Sequence, residues 1–167
     1  MKIIDNFLEK EDFLKLKQEF ESPFLPWYYN DYVNGIDDPM DYYQFVHIFY
    51  NKGMVNSEFL KIINPILNKL KNNLLMLLRI KANLLLKTNE HIEHGFHTDY
   101  DKNKNVKITT GIFYINTNNG YTLFENGKKI ESVENRYVEF DYQKLHSGST
   151  CTDKKTRLVI NFNYIKK

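Results

Sequence analysis

His97-Thr98-Asp99 places an imidazole and a carboxylate two residues apart. On an extended segment such residues point to one face, so the two side chains would project together. A metal site needs a third ligand, and His146 is the best candidate, far enough downstream for several strands to pass between. Two imidazoles and one carboxylate on one side of an ion leave the opposite positions open. That arrangement suits O2 chemistry at non-haem Fe(II), where O2 and a co-substrate must both reach the metal. A His-x-Asp pair also arises by chance, so the rest of the chain has to support it.

The support comes from the last apolar stretch. Leu158, Ile160, Phe162 and Tyr164 form one face of a strand, suited to packing against helices. Arg157, Val159, Asn161 and Asn163 form the other. An Arg and two Asn on one face mean either a solvated surface or a polar pocket. A pocket that held an iron ion and a dicarboxylate would favour Arg157, because a guanidinium pairs bidentately with carboxylate. Other chemistry-bearing residues read more plainly. His91 and His94 sit in a loop entering a strand, Cys151 lacks an obvious base partner, and His47 is a strand residue.

In order along the chain, His97-Thr98-Asp99, Gly120-Tyr121-Thr122-Leu123-Phe124, His146-Ser147-Gly148 and Arg157 resemble the 2-oxoglutarate/Fe(II) dioxygenase superfamily. The prolyl 4-hydroxylase branch is the nearer likeness. Its Gly-Gly-x-Thr-x-Phe strand appears here as Asn119-Gly120-Tyr121-Thr122-Leu123-Phe124, with Asn for the first Gly. Ile112-Phe113-Tyr114-Ile115-Asn116 resembles the aromatic strand before that motif. The likeness spans roughly residues 79–165. It implies a cupin-like double-stranded β-helix in which His97, Asp99 and His146 hold Fe(II). It also implies that Arg157 binds the distal carboxylate of 2-oxoglutarate. Leu85 stands where the branch often has a helping Tyr, and Asn83, on the same face, would substitute. Phe113 takes the place of another frequent Tyr, with Thr122 pointing inward beside it. Val159 and Asn163, with Asn161, would line the co-substrate pocket. The implied reaction consumes O2 and 2-oxoglutarate, releases succinate and CO2, and hydroxylates a substrate such as a protein prolyl side chain.

These residues need a scaffold, and the chain's periodicity describes one. Asp5 or Asn6 is positioned to cap a helix with Phe13, Leu16 and Phe20 on one face. Trp27 to Tyr32 reads as an ordered loop or an edge strand, and Gln44 to Tyr50 as a strand. Ser57 caps a second amphipathic stripe, Phe59 to Leu74, which Pro65 kinks or splits near Asn64. From Arg79 onward the period is two. Ile80 to Leu86, Ile108 to Asn116, Tyr121 to Glu125, Lys129 to Val133, Arg136 to Asp141 and Thr156 to Ile165 are strands, with Asn126-Gly127 as a type I′ hairpin turn. Short strands without intervening helices argue an α+β fold, N-terminal helices (about 1–78) buttressing a jelly-roll core (about 79–167), all in one domain. Tyr100 to Asn105 reads as a charged loop, a lid over the substrate, and Trp27, Tyr28 and Tyr29 as a lining for its mouth.

Composition supplies exclusions. With 167 residues, 42% hydrophobic and 15% aromatic, the chain is neither disordered nor a repeat array. One cysteine excludes an internal disulfide and a Cys-rich zinc site. The same count, with no apolar leader or membrane-length run, reads as a cytoplasmic, soluble protein. A net charge of +2 gives no strong signal for nucleic acid. Three readings follow: an Fe(II)/2-oxoglutarate hydroxylase acting on a protein, peptide or small molecule; a non-catalytic jelly-roll module binding a sugar or small molecule; and an oxygenase acting on a nucleobase or free metabolite. The second requires His97 and His146 to lie apart.

Overall fold

The alternating stretches become one wide antiparallel sheet in the computed structural model, which describes residues 1–33, 42–99 and 106–167. Its spine is the pair β5 (Leu74–Leu86) and β11 (Thr156–Lys166), matched from Leu86 opposite Thr156 to Leu74 opposite Lys166. Beyond β11 lie β6 (Ile108–Tyr114), β9 (Arg136–Asp141) and the short β1 (Lys2–Ile4). Beyond β5 lie β3 (Gln44–Asn51) and the edge strand β2 (Tyr28–Asn30), and β4 (Met54–Val55) pairs with β3. A second antiparallel sheet has the order β10 (His146–Gly148), β7 (Tyr121–Phe124), β8 (Lys129–Glu131). The result is an α+β double-stranded β-helix, or jelly roll.

Period two gives the large sheet two unlike faces. Ile80, Ala82, Phe113, Leu158, Ile160, Phe162 and Tyr164 pack beneath α1 (Lys10–Phe20) and α2 (Asn64–Leu70), which contribute Phe13, Leu16, Phe20, Ile66 and Leu70. Each fully buried Leu, Ile or Phe among them contributes about 1.5–3 kcal/mol of transfer free energy. The opposite face meets the small sheet through Ile112, Tyr114, Val138 and Val159 against Phe124 and Ile130. No helix among the described residues is long and apolar enough to cross a membrane.

The second stripe is split as its proline requires. Ser57 Oγ accepts from the Phe59 N–H at 3.0 Å and caps a 3-10 segment, Glu58–Ile63. The α-helix that follows starts at Asn64, so Pro65 lies in its first turn, where a missing N–H costs nothing.

Three expectations are corrected. The stripe does not run to Leu74: the helix ends at Leu70 and Leu74 to Leu78 already belong to β5. An apolar run that short carries no period of its own. Neither Asp5 nor Asn6 caps α1. Asp5 takes the Arg136 Nε–H at 2.5 Å, Asn6 has φ 50°, and the cap position is Glu9. The Asn126-Gly127 turn is not type I′, because only Gly127 of the two has positive φ, 81°. The Gly127 N–H donates to Phe124 O at 2.8 Å and the Phe124 N–H to Lys128 O at 2.9 Å, a three-residue loop closed by a left-handed glycine.

Candidate functional site

His97 and His146 are each other's backbone partners. The His97 N–H donates to His146 O at 3.0 Å and the His146 N–H to His97 O at 3.1 Å. Upstream, the His94 N–H donates to Gly148 O at 3.0 Å, so the segment leading into His97 runs antiparallel to β10. The two imidazoles therefore leave neighbouring backbones on one side, with ring centres 4.7 Å apart. Nδ1 of each ring faces a backbone carbonyl, Gly95 O at 3.2 Å for His97 and Lys144 O at 3.0 Å for His146. A carbonyl only accepts, so Nδ1 of each ring carries a proton and Nε2 is the atom left to bind a metal.

Asp99 completes the group. Its Oδ2 lies 3.9 Å from His146 Nε2, and one ligand atom from each of the three residues lies within 4.8 Å of the others. Arg79 Nη2 donates to Asp99 Oδ1 at 2.8 Å, and Asn163 Nδ2 donates to Oδ2 at 3.2 Å. Arg79 Nε in turn donates to Asn163 Oδ1 at 2.9 Å, closing a ring of three side chains behind the carboxylate. Burial alone would raise the Asp99 carboxyl, but Arg79, His146 and His97 together with the Asn163 hydrogen bond hold it down at about 2. Burial, followed by the neighbouring His146, pushes the His97 imidazole below its usual value, which also favours the free lone pair. Two imidazoles that present Nε2 and an ionised carboxylate, backed by fixed partners, fit a divalent iron ion. Among the described residues this is the one such cluster of three.

The group opens into a cleft of about 260 Å3, which Arg157 shares. Arg157 is 3% exposed. Its Nε donates to Ser132 Oγ at 2.8 Å and Nη2 to Thr122 Oγ1 at 3.2 Å, and the guanidinium carbon lies 5.8 Å from the centre of the Tyr114 ring. No described carboxylate forms an ion pair with it, so an incoming carboxylate fits this cradle. Gly120 makes the room, because a Cβ there would stand 2.7 Å from Arg157 Cδ.

Asn83, Thr122, Val159 and Asn161 line the same cleft, as does Leu85. Asn83 Oδ1 and Asn161 Oδ1 are buried and make no hydrogen bond within the protein. Asn163 lies behind Asp99 rather than on the co-substrate side. The placement of Phe113 is corrected: it is fully buried under the helices, 6.1 Å from the Phe7 ring and 6.2 Å from Phe13. Ile112 and Tyr114 face the interior instead, since a shift of one residue on a strand reverses the face.

Sequence reasoning missed Arg79 and Lys81, which also line the cleft. The signal was present in the alternation of β5, which puts Arg79, Lys81, Asn83 and Leu85 on one side. Burial, then the charge of Arg79, pulls the Lys81 ammonium down to about 8, with Asp99 opposing. His91 stands aside, its Nδ1 3.0 Å from Thr150 O, and His47 bridges Pro26 O and Ser57 Oγ. Cys151 is buried and free. Trp27 packs on the helical core, while Tyr28 and Tyr29 are exposed on the edge strand. The charged loop from Tyr100 to Asn105 lies outside the described residues.

No family profile and no curated protein sequence matches the chain. Solved structures do. A prolyl hydroxylase from Trichoplax adhaerens, in complex with a hypoxia-inducible-factor peptide, is 14% identical with a TM-score of 0.69, covering 98% of this chain and 82% of its own. The viral collagen prolyl hydroxylase of Paramecium Bursaria Chlorella virus-1, in its 2-oxoglutarate complex, is 15% identical with a TM-score of 0.61, covering 99% and 94%. HygX from Streptomyces hygroscopicus, with nickel and 2-oxoglutarate bound, is 10% identical with a TM-score of 0.63, covering 98% and 81%. The chain shares the fold of these oxygenases over nearly its whole length.

Proposed function

We propose that the chain is a 2-oxoglutarate- and Fe(II)-dependent dioxygenase that hydroxylates a protein or peptide side chain, prolyl in the first instance, with release of succinate and CO2. The observation that carries this reading is the pairing, in one cleft, of the His97-Asp99-His146 cluster with a buried Arg157 that has no described counter-anion. The same fold in prolyl hydroxylases, one of them in complex with a peptide, supports it. A non-catalytic module would require His97 and His146 to stand apart, and they are bridged. Its one thiol, buried at Cys151, accords with a reducing cytoplasm.

His97 and His146 would hold the metal through Nε2, and Asp99 through a carboxylate oxygen. When bound, Fe(II) and 2-oxoglutarate supply the oxidising chemistry: O2 is reduced as 2-oxoglutarate loses CO2 to give succinate, and one oxygen atom enters a substrate C–H bond. The protein's own part is positioning. Ser132 and Thr122 fix the Arg157 fork, leaving its remaining N–H groups for the distal carboxylate. Thr122 Oγ1 accepts from both Arg157 and the Tyr114 hydroxyl at 2.9 Å, so its own proton is free for that carboxylate. Val159 and Leu85 give apolar walls that exclude water.

An anaerobic Fe(II) titration followed by succinate measurement tests the reading. Wild type should bind one Fe(II) and form succinate from 2-oxoglutarate, and Asp99→Ala should do neither. Equal metal binding by wild type, His97→Ala and Asp99→Ala overturns the assignment.

A further inference from the structure

The charges around the cleft do not balance once the proposed co-substrate is counted. Among the described residues that line it, Asp99 is the single carboxylate, against the cations Arg79, Lys81 and Arg157. Fe(II) would be neutralised by Asp99 and the 1-carboxylate of 2-oxoglutarate, and Arg157 by the distal carboxylate. Arg79 and Lys81 then remain uncompensated. Both project from β5 onto the cleft side, two residues apart. Arg79 is 22% exposed and held by Asp99 and Asn163. Lys81 is half-buried, makes no ion pair with a described residue, and stands in register with Asn161. A cation withdrawn from water without a partner is costly, and such a site is expected to hold an anion in use.

We infer that Lys81, with Arg79 behind it, is the docking point for a carboxylate of the primary substrate, next to the position where hydroxylation occurs. This rests on the oxygenase reading. The unsatisfied carbonyls of Asn83 and Asn161 flank Lys81 and supply acceptors for an N–H or O–H beside that carboxylate. The carboxylate can belong to a free acid or to an acidic side chain adjoining the target residue in a peptide. A neutral prolyl peptide leaves Lys81 unpaired and is a poor substrate.

The test uses the protein loaded anaerobically with Fe(II) and 2-oxoglutarate, with binding of both measured first. Matched probes differ only in charge: N-acetyl-L-proline against N-acetyl-L-prolinamide, and Ala-Pro-Glu-amide against Ala-Pro-Gln-amide. Binding is read by NMR chemical shifts, and then succinate formation by addition of O2. The acid of at least one pair should be preferred by about tenfold, the scale of one hydrogen bond to a charged group. Which pair shows the preference identifies the source of the carboxylate. Lys81→Met should abolish the preference, Lys81→Arg should keep it, and added salt should weaken it. Equal binding of acid and amide in wild type, or a preference that survives Lys81→Met, overturns the inference. Failure of Fe(II) or 2-oxoglutarate to bind overturns the oxygenase reading alone, because the acid-over-amide preference is still read by NMR on the metal-free protein.

Discussion

One strand, β11, separates two regions built on opposite terms. Toward the helices, Leu158, Ile160, Phe162 and Tyr164 are buried among aromatic and aliphatic neighbours. Toward the cleft, Arg157 and Asn163 are also buried, yet each is polar, and Asn161 carries an unsatisfied carbonyl. The first face gains free energy from every contact. The second gives some up, since a buried cation and an orphan acceptor cost stability unless a ligand answers them. One backbone thus serves both, and the difference locates function on the side where burial is unfavourable.

That contrast can be broken at several points. The largest effect belongs to the helix face: Phe162→Ala should destabilise the fold by about 3–5 kcal/mol in urea unfolding, while the protein that remains folded binds Fe(II) normally. Arg157→Met should weaken 2-oxoglutarate binding by about 100-fold, read by calorimetry, as expected when one partner of a buried charge pair is lost. Its unfolding free energy should hold or rise, because an unpaired buried charge has been replaced by an apolar chain. A marked loss of stability in Arg157→Met would erase the distinction between the faces. Arg79→Met removes the support behind Asp99 and should lower Fe(II) affinity by about 10- to 100-fold.

Acid provides a smaller, graded probe. Asp99 has a folded value of about 2 against an ordinary 3.8, so its contribution is complete above 3.8 and is lost as pH falls toward 2. The metal-free protein should lose stability across that window, and Asp99→Asn should flatten the slope. His97 adds in the same sense at higher pH. Folding disfavours its protonated form, so stability declines as pH drops below its ordinary 6.5. Smallest is Gly127→Ala at the hairpin, φ 81°, which should cost about 1 kcal/mol by thermal unfolding and leave Fe(II) and 2-oxoglutarate binding alone.

Much of the cleft was legible because strands alternate. Arg157, Val159, Asn161 and Asn163 could be assigned a common side from spacing alone, as could His97 and Asp99. The same rule failed at Phe113, where a one-residue offset exchanged Tyr114 for a core residue. Alternation also put Lys81 beside Asn83, but a cation on a strand reads as solvent-facing until its neighbours are known. Only the fold shows that Arg79 reaches Asp99, twenty residues on, and Asn163 on the next strand. Short β1 and the first residues of β5 carried no period, and the cap at Glu9 has no side-chain signal, so boundaries there were not readable.

The mutual backbone pairing of His97 and His146 has a consequence for how the site assembles. The two imidazoles are brought together by the peptide groups that carry them, so their approach is settled when the chain folds, before any ion arrives. Metal loading then resembles a key entering a finished lock rather than a clasp that closes the fold. The amide protons at positions 97 and 146 become a built-in gauge of this. They should exchange with solvent slowly and at one common rate in the metal-free protein, and adding metal should slow both together.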